Sequence, residues 1–269
     1  MTTPNLPVVL VFAGNDPTGG AGIQADIQSL ASLGCHPAPV VTAITVQDTI
    51  GIKHFVSVDA ELVIAQARAV LEDMPVAAFK TGMLGSIANL TAIAGILEDY
   101  PEIPLIVDPV LASGQGDELS EEPIEDALRA LLIPQATLIT PNSMEARRLA
   151  PDADTLDACA QELLSVGCQF VLVTGTHENT PQVVNRLYGN RRLLETFSWE
   201  RLPESYHGSG CTLAAACAAT FAQGFDPVDA VAEAQDYAWN TLKHGQRLGM
   251  GQHLPDRLYW ARSGDENGD

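Results

Sequence analysis

Residues 8–26 read VVLVFAGNDPTGGAGIQAD, and this stretch decides the fold class. Its opening run, VVLVFAG, is continuously apolar and rich in β-branched side chains, as is typical of a strand buried on both faces. A glycine-rich turn follows. Apolar residues then return at helical spacing until Gly34, a residue type that commonly ends helices. The stretch therefore predicts a strand, a turn and a helix in direct succession.

The same succession recurs along most of the chain, with short β-rich runs alternating with longer segments of helical period. This is the pattern of a mostly parallel sheet covered by helices, and it predicts the α/β class. The runs are VVLVFAG, PVVTAITVQ, AAFKTGML, LIVDPVL, TLITPN and FVLVTGTH. Two later runs, VVNRLYGN and RRLLETFSWERL, predict a hairpin that turns at Gly189-Asn190 and adds antiparallel strands at one edge. We expect one domain over residues 1–262 and a polar tail at 263–269.

The composition excludes several classes of protein. The 269 residues carry a formal net charge of −20, so a nucleic-acid backbone would be repelled. No apolar run reaches the roughly 20 residues that span a bilayer, and the first residues lack the basic start of a secretory signal. We therefore expect a cytoplasmic protein with neither nucleic-acid nor membrane partners. The cysteines show no spacing typical of zinc or disulfides, and only Cys211 is singled out.

A glycine turn precedes a helix of small residues in the last third of the chain. Residues 207–212 read HGSGCT, and LAAACAATFA follows. Glycines allow successive backbone N–H groups to converge, and the helix adds its positive dipole end, so the turn is predicted to bind an anion such as a phosphoryl group. A simple tight turn remains the alternative. The dipole is expected to lower the pKa of Cys211, which leaves base, nucleophile and bystander open as its role.

Oxygen-bearing side chains follow two apolar runs. Asp108 lies in VDPV, and Asn142 and Glu145 lie in TPNSME. Asn142 and Glu145 face the same way at a helix start and are candidates to hold Mg²⁺ through water, with Asp108 as a further carboxylate. The competing interpretation is a helix cap built from Asn142 and Glu145. Asp26 is predicted to project from the first turns of the helix that follows the glycine-rich loop, at the end of the sheet where ligands usually bind, with a flexible turn and a solvated Asp26 as the alternative.

Seven motifs together resemble the hydroxymethylpyrimidine/phosphomethylpyrimidine kinases of thiamine biosynthesis. AGNDPTGGAGIQAD, TAITVQDT, KTGMLG, VDPV, LITPNSMEA, VLVTGTH and HGSGCTLAAA occur in the order and spacing of that family, over residues 8–219. The resemblance implies the ribokinase-like fold, a three-layer α/β/α sandwich with a mostly parallel central sheet and an antiparallel edge, and commonly a homodimer. It implies phosphorylation of 4-amino-5-hydroxymethyl-2-methylpyrimidine and its monophosphate with ATP and Mg²⁺.

The resemblance also implies roles for individual residues. Gly208, Ser209, Gly210 and Cys211 look like the anion hole over the transferred phosphoryl group. Cys211 stands where sugar kinases and many pyridoxal kinases carry an aspartate base. The residues that look like the pyrimidine pocket are Gly14, Asp26, Gln47, Met83 and Val110. The residues that match the metal, phosphate and nucleotide network are Asp108, Asn142, Glu145, Thr174 and Gly175.

Two departures from the family pattern concern phosphate binding. Relatives commonly carry a lysine after the DPV motif and another before the glycine of the VTGTH segment, and here those positions are Gly114 and Thr174. Phosphate charge would then rest more on Mg²⁺ and backbone dipoles. A pyridoxal kinase of the same fold stays an alternative, although Gln47 and Cys211 favour a pyrimidine kinase. A non-catalytic pyrimidine-binding module is the other, and the complete glycine turn counts against it.

Overall fold

The apolar runs of the sequence form neighbouring strands of one sheet. A computed structural model describes residues 6–111 and 123–262, so Gly114 and the predicted tail at 263–269 lie outside the described residues. Within these ranges, nine strands lie in the order β3-β2-β1-β4-β5-β6-β7-β8-β9. Their bounds are β1 Val8–Gly14, β2 His36–Gln47, β3 Ile52–Ser57, β4 Val76–Thr81, β5 Leu105–Val107, β6 Leu138–Ile139, β7 Phe170–Val173, β8 Gln182–Gly189 and β9 Arg192–Glu200.

Strand β1 is buried along its whole length. Val9 and Val11 pack into the core on one face of the sheet, and Leu10 and Phe12 pack into the core on the other, because successive side chains of a strand alternate between faces. Pairing is parallel from β2 through β1, β4, β5 and β6 to β7. The predicted mostly parallel sheet is therefore confirmed.

Helices cover both faces of the sheet. Their bounds in the described residues are α1 Gly22–Ser32, α2 Ala60–Asp73, α3 Ile87–Leu97, α4 Glu125–Ala127, α5 Ser143–Leu149, α6 Leu156–Val166, α7 Ser209–Ala222, α8 Pro227–Lys243 and α9 Tyr259–Arg262. Helices α1, α7 and α8 share the core that holds Val9, and α2, α3, α5 and α6 share the core that holds Leu10. This gives the predicted three layers. None of these helices is both long and apolar enough to cross a membrane.

Antiparallel strands border the sheet at both edges, although the sequence predicted them at one. The hairpin of β8 and β9 is confirmed, but its turn residues are Asn190 and Arg191, both with positive φ. Gly189 is instead the last residue of β8. Strand β3, which pairs with β2, was missed because its sequence IKHFVS is half polar and none of its residues is fully buried.

Candidate active site

The carboxyl ends of the parallel strands meet at one edge of the sheet. Gly14 ends β1 and Asp108 directly follows β5. Asn142 and Thr174, which lie beyond β6 and β7, pair in a short parallel bridge. In an open α/β sheet, this edge is where ligands bind. The fold therefore gathers candidate residues from separate motifs at the expected place.

Helix α7 begins at this edge with the turn that is predicted to bind an anion. Gly208 is its N-cap and has a φ of 77°. A Cβ on Gly208 would lie 1.9 Å from the carbonyl oxygen of Gly20, so the two glycine-rich turns touch through their backbones. The amides of Ser209, Gly210 and Cys211 lie in the first helical turn, where no acceptor within the helix is available. The turn has the form of an anion hole, and phosphoryl binding there stays a prediction.

The thiol of Cys211 lies among charged groups. Burial raises its pKa to about 12, Lys80 opposes this, and Asp108 and Asp26 add to it. The prediction that the helix dipole lowers the pKa of Cys211 is therefore wrong, because desolvation of the thiolate outweighs the dipole. The thiol is therefore protonated at neutral pH and interacts electrostatically with Asp108.

A buried ion pair lies close to Cys211. Lys80, in β4, is fully buried, and its Nζ lies 3.0 Å and 3.1 Å from the two carboxylate oxygens of Asp26 on α1. Burial opposes the charge of Lys80, but Asp26, Cys211 and Asp108 outweigh it, so the pKa of Lys80 is raised. The contact of Asp26 with a pyrimidine stays a prediction, because both of its oxygens face Lys80. Lys80 was missed, although a lysine inside the apolar run AAFKTGML was an available signal.

Two carboxylates at the strand ends repel each other. Burial raises the pKa of Asp108 to about 6. Burial and then the charge of Asp108 raise the pKa of Glu145 to about 8. Asp108 Oδ2 is buried and has no hydrogen-bond partner among the described residues. A cation would relieve both the burial and the repulsion, and Mg²⁺ commonly binds one or two carboxylates plus substrate phosphates. The described residues contain no group of three or more His, Cys, Asp or Glu side chains that forms a metal centre.

Asn142 and Glu145 form a capping box at the start of α5. Asn142 Oδ1 accepts from the amides of Met144 at 2.9 Å and Glu145 at 3.0 Å, and Glu145 Oε2 accepts from the amide of Asn142 at 2.9 Å. The capping interpretation of these residues is therefore confirmed. Since the cap uses Asn142 Oδ1, a direct contact between Asn142 and a nucleotide stays a prediction.

The segment predicted to meet the nucleotide directly follows β7. The amide of Gly175 donates to Asn185 Oδ1 at 3.0 Å, and a Cβ on Gly175 would lie 2.2 Å from the carbonyl oxygen of Val184. Only glycine fits this close approach. Thr174 lies at the same sheet edge as Asn142. The nucleotide contacts of Thr174 and Gly175 stay predictions.

An apolar wall forms beside the end of β1. Met83, Val110 and Ile52 belong to one small apolar cluster. A Cβ on Gly14 would lie 3.1 Å from Met83 Sδ. Gln47 pairs with Ile52, and its Oε1 is buried with no hydrogen-bond partner in the part of the chain that the structure describes. A buried amide oxygen is costly unless a donor reaches it. The structure thus brings together Gly14, Gln47, Met83 and Val110, with one acceptor left for a ligand.

Two polar side chains that tie the glycine turns together were missed. Asp16, in the first glycine-rich loop, is fully buried, and its Oδ2 lies 2.9 Å from His207 Nε2. Arg257, between α8 and α9, is 2% exposed and donates to the carbonyl of Gly19. Asp16 lies inside a quoted motif, which was an available signal. Nothing in the sequence around Arg257 indicates that it is buried.

Comparison with known proteins assigns the chain to a family. A family model described as phosphomethylpyrimidine kinase matches residues 16–256. The hydroxymethylpyrimidine/phosphomethylpyrimidine kinase of Mycobacterium tuberculosis (strain ATCC 25618 / H37Rv) is 42% identical over 252 residues, which cover 91% of each chain. The chain belongs to the phosphomethylpyrimidine kinase family. The family and the enzyme class predicted from the sequence are therefore confirmed.

Solved structures show how far the fold of this phosphomethylpyrimidine kinase family member is shared. The phosphomethylpyrimidine kinase from Clostridium difficile 630 superimposes with a TM-score of 0.75 and 32% identity, covering 87% of this chain and 97% of that one. The pyridoxal kinase from Staphylococcus aureus in complex with AMP-PCP and pyridoxal has a TM-score of 0.86 and 27% identity, covering 96% and 95%. The predicted ribokinase-like fold is confirmed, and fold alone does not separate the two activities.

Proposed function

We propose that this chain transfers the γ-phosphoryl group of ATP to the hydroxymethyl group of 4-amino-5-hydroxymethyl-2-methylpyrimidine, and then to the monophosphate, for thiamine biosynthesis. The observation that carries the proposal is the position of Cys211 in the first turn of α7, where its thiol interacts electrostatically with Asp108. A hydroxyl bound there meets a phosphate-binding turn on one side and a buried proton acceptor on the other. Pyridoxal kinases of the same fold bind ADP and AMP-PCP, which supports ATP as the donor.

Mg²⁺ is the metal of this proposal; Asp108 and Glu145 would hold it through its bound waters, together with phosphate oxygens of ATP, which leaves Asp108 able to accept a proton. When bound, it neutralises charge on the phosphates. The raised pKa values of the two carboxyls and the unpartnered Asp108 Oδ2 support this role. Because Thr174 stands where relatives carry a lysine, the backbone amides of the glycine turn take a larger share of phosphate binding.

Catalysis by the chain's own residues is mainly positioning. The apolar wall holds the flat ring, Gln47 Oε1 accepts from its amino group, and the amides of the first turn of α7 face the transferred phosphoryl group. The protonated Cys211 acts as a relay: its Sγ takes the proton of the substrate hydroxyl while its own proton passes to Asp108. The monophosphate attacks through an oxygen that is already ionised, so no such transfer is needed.

Replacing Cys211 with alanine tests this relay. We expect Cys211→Ala to lower kcat on the alcohol by about 10²-fold, the lower end of general acid–base effects, and to lower kcat on the monophosphate by much less. Steady-state kinetics with each substrate measure the difference. Cys217→Ala, in the same helix but fully buried in the core, is the control and should match the wild type. Equal losses on both substrates would contradict the relay.

Replacing Gln47 with leucine tests recognition of the amino group. The unpartnered Oε1 would be lost, so Gln47→Leu should raise KM for the hydroxymethylpyrimidine by about 10-fold to 100-fold, the range of a lost buried hydrogen bond, while kcat changes little. Gln47→Glu keeps an acceptor oxygen at the same place and is the matched control. If the leucine and glutamate variants have the wild-type KM, Gln47 does not contact the ring.

The substrate itself is tested by offering the hydroxymethylpyrimidine, its monophosphate and pyridoxal separately with ATP and Mg²⁺, and recording product masses. Pyridoxal is included because the pyridoxal kinases share the fold at TM-scores of 0.85 to 0.87. Monophosphate and diphosphate products of the pyrimidine establish the proposed function. If only pyridoxal is phosphorylated, the chain is instead a pyridoxal kinase.

A cytoplasmic homodimer completes the proposal. All five cysteines are free, which suits a reducing compartment. On the β2–β3 edge, Ile44, Val46 and Val56 are each more than half exposed, and Ile44 pairs with Val56 across the two strands. An exposed apolar strip of this kind is typical of a protein interface. We propose that a second copy of the chain covers this strip. Light scattering measures the molar mass in solution and so shows whether a dimer forms.

A further inference from the structure

One buried arginine holds two glycine turns through four neutral acceptors. Arg257 Nη1 donates to Gly19 O at 3.1 Å and to Gln28 Oε1 at 3.3 Å. Its Nη2 donates to Gly20 O, and its Nε donates to Thr212 Oγ1 at 3.0 Å. A buried guanidinium more commonly pairs with a carboxylate. The hydrogen bonds of Arg257 therefore fix backbone positions in the loop before α1 and a side chain in α7.

The hydrogen bonds continue into the anion-hole turn. Thr212 Oγ1, which accepts from Arg257, donates to the carbonyl oxygen of Gly208 at 2.8 Å. Gly208 is the residue that touches Gly20 with no room for a Cβ. Arg257 thus holds both sides of this contact, Gly20 directly and Gly208 through Thr212. The rigid, planar fork of a guanidinium suits such a geometry, and a lysine cannot reproduce it.

The charge of Arg257 also lies close to the reacting groups. Cys211, Asp26 and Asp16 all interact with it electrostatically. Lys80, paired with Asp26, is the other buried cation of this region. Both cations are almost completely buried, and each adds positive potential to the region around Cys211.

We propose that Arg257 is a positioning residue for phosphoryl transfer, which clamps the turn at residues 208–212 against the loop at residues 19–20 so that the amides of the first turn of α7 aim at the transferred group. Arg257 lies outside every motif that carries the family resemblance. The reaction that Arg257 assists is the one given under the proposed function, so this inference rests on that proposal. The hydrogen bonds by which Arg257 holds the two turns together do not depend on which substrate binds.

Three arginine variants test the clamp in the full-length protein. Arg257→Met removes the fork, and we expect kcat to fall by about 10²-fold, the effect of a misplacement near 1 Å. Arg257→Lys keeps the charge but not the fork, and kcat should fall by about 10-fold, since lysine is a point donor. KM for the pyrimidine should stay near the wild-type value, because Arg257 does not contact the apolar wall.

The matched control is Arg129→Met, which loses hydrogen bonds to Leu149 O and Glu162 near the C-terminal end of α5. This variant should lower Tm without changing kcat.

A second pair of variants covers the case in which Arg257→Met does not fold. Thr212→Val removes the hydroxyl between Arg257 and Gly208, and Thr212→Ser keeps it, so kcat should fall only in the valine variant. Hydrogen exchange at residues 208–212 should speed up in Arg257→Lys, whatever substrate the enzyme uses. Wild-type kcat in all folded variants, with only Tm lowered, would overturn the proposal. A wild-type enzyme that fails to turn over the pyrimidine, together with faster exchange in Arg257→Lys, would overturn the proposed function and not the clamp.

Discussion

Replacing Gly208 with alanine is expected to lower kcat by about 10³-fold, the upper range for loss of a backbone donor that stabilises developing charge. Two observations predict this. The φ of 77° at Gly208 disfavours any side chain. The new Cβ would also lie 1.9 Å from Gly20 O, so the first turn of α7 must move away from the loop before α1. Steady-state kinetics measure the loss, and circular dichroism checks that the overall helix content is unchanged.

Gly224→Ala is the matched control for Gly208→Ala. Gly224, just beyond the other end of α7, has a φ of 82°, and a Cβ there meets nothing within 4 Å. The variant carries the same backbone strain without the clash, so its kcat should equal that of the wild type. If both variants lose activity alike, strain in α7 and not the contact between the glycine turns limits the enzyme.

Replacing Lys80 with methionine is expected to destabilise the protein by about 3–5 kcal/mol, the cost of breaking one half of a buried ion pair. Asp26 would be left as a buried carboxylate with no cation at 3.0 Å. Chemical denaturation measures the free energy of unfolding. Burial already raises the pKa of Asp26, and loss of Lys80 raises it further. The folded variant then binds a proton more readily than the unfolded chain, so its stability deficit should shrink as pH falls from 7 toward 5.

Two further variants decide what the ion pair does. Lys80→Met/Asp26→Leu removes both charges and should recover most of the stability. It should not recover kcat, because Lys80 lies close to both Cys211 and Asp108. Lys53→Met removes an exposed lysine that pairs with Asp48 and should leave Tm almost unchanged, since exposed pairs contribute little. Full activity in the double variant would limit the pair to a structural role.

The regular parts of the fold were predictable because they depend on local pattern. The continuous apolar run of β1 requires burial on both faces, and the glycine before Ser209 marks the start of α7. Strand β3 has no such pattern. It forms because the free edge of β2 offers unpaired backbone groups, and its own sequence contributes little. The turn of the β8–β9 hairpin was displaced by one residue for a related reason, since its register depends on both strands.

The candidate site was predictable in its parts but not in its electrostatics. Asp108, Gln47 and Cys211 stand out from their motifs, and the fold brings them to one edge of the sheet. The direction of the Cys211 pKa shift was not predictable. The helix dipole is a local property, whereas the burial that outweighs it comes from packing around the first turn of α7.

The sequence by itself determined the α/β class, most of the alternation of strands and helices, and the glycine turns, because backbone geometry and hydrophobic periodicity act over a few neighbouring residues. The tertiary structure alone decided which charges meet. Lys80 reaches Asp26 across 54 positions, and Arg257 reaches Gly20 across 237. Whether a buried charge is paired depends on groups that are distant along the chain, and only the packed fold brings those groups within hydrogen-bonding distance.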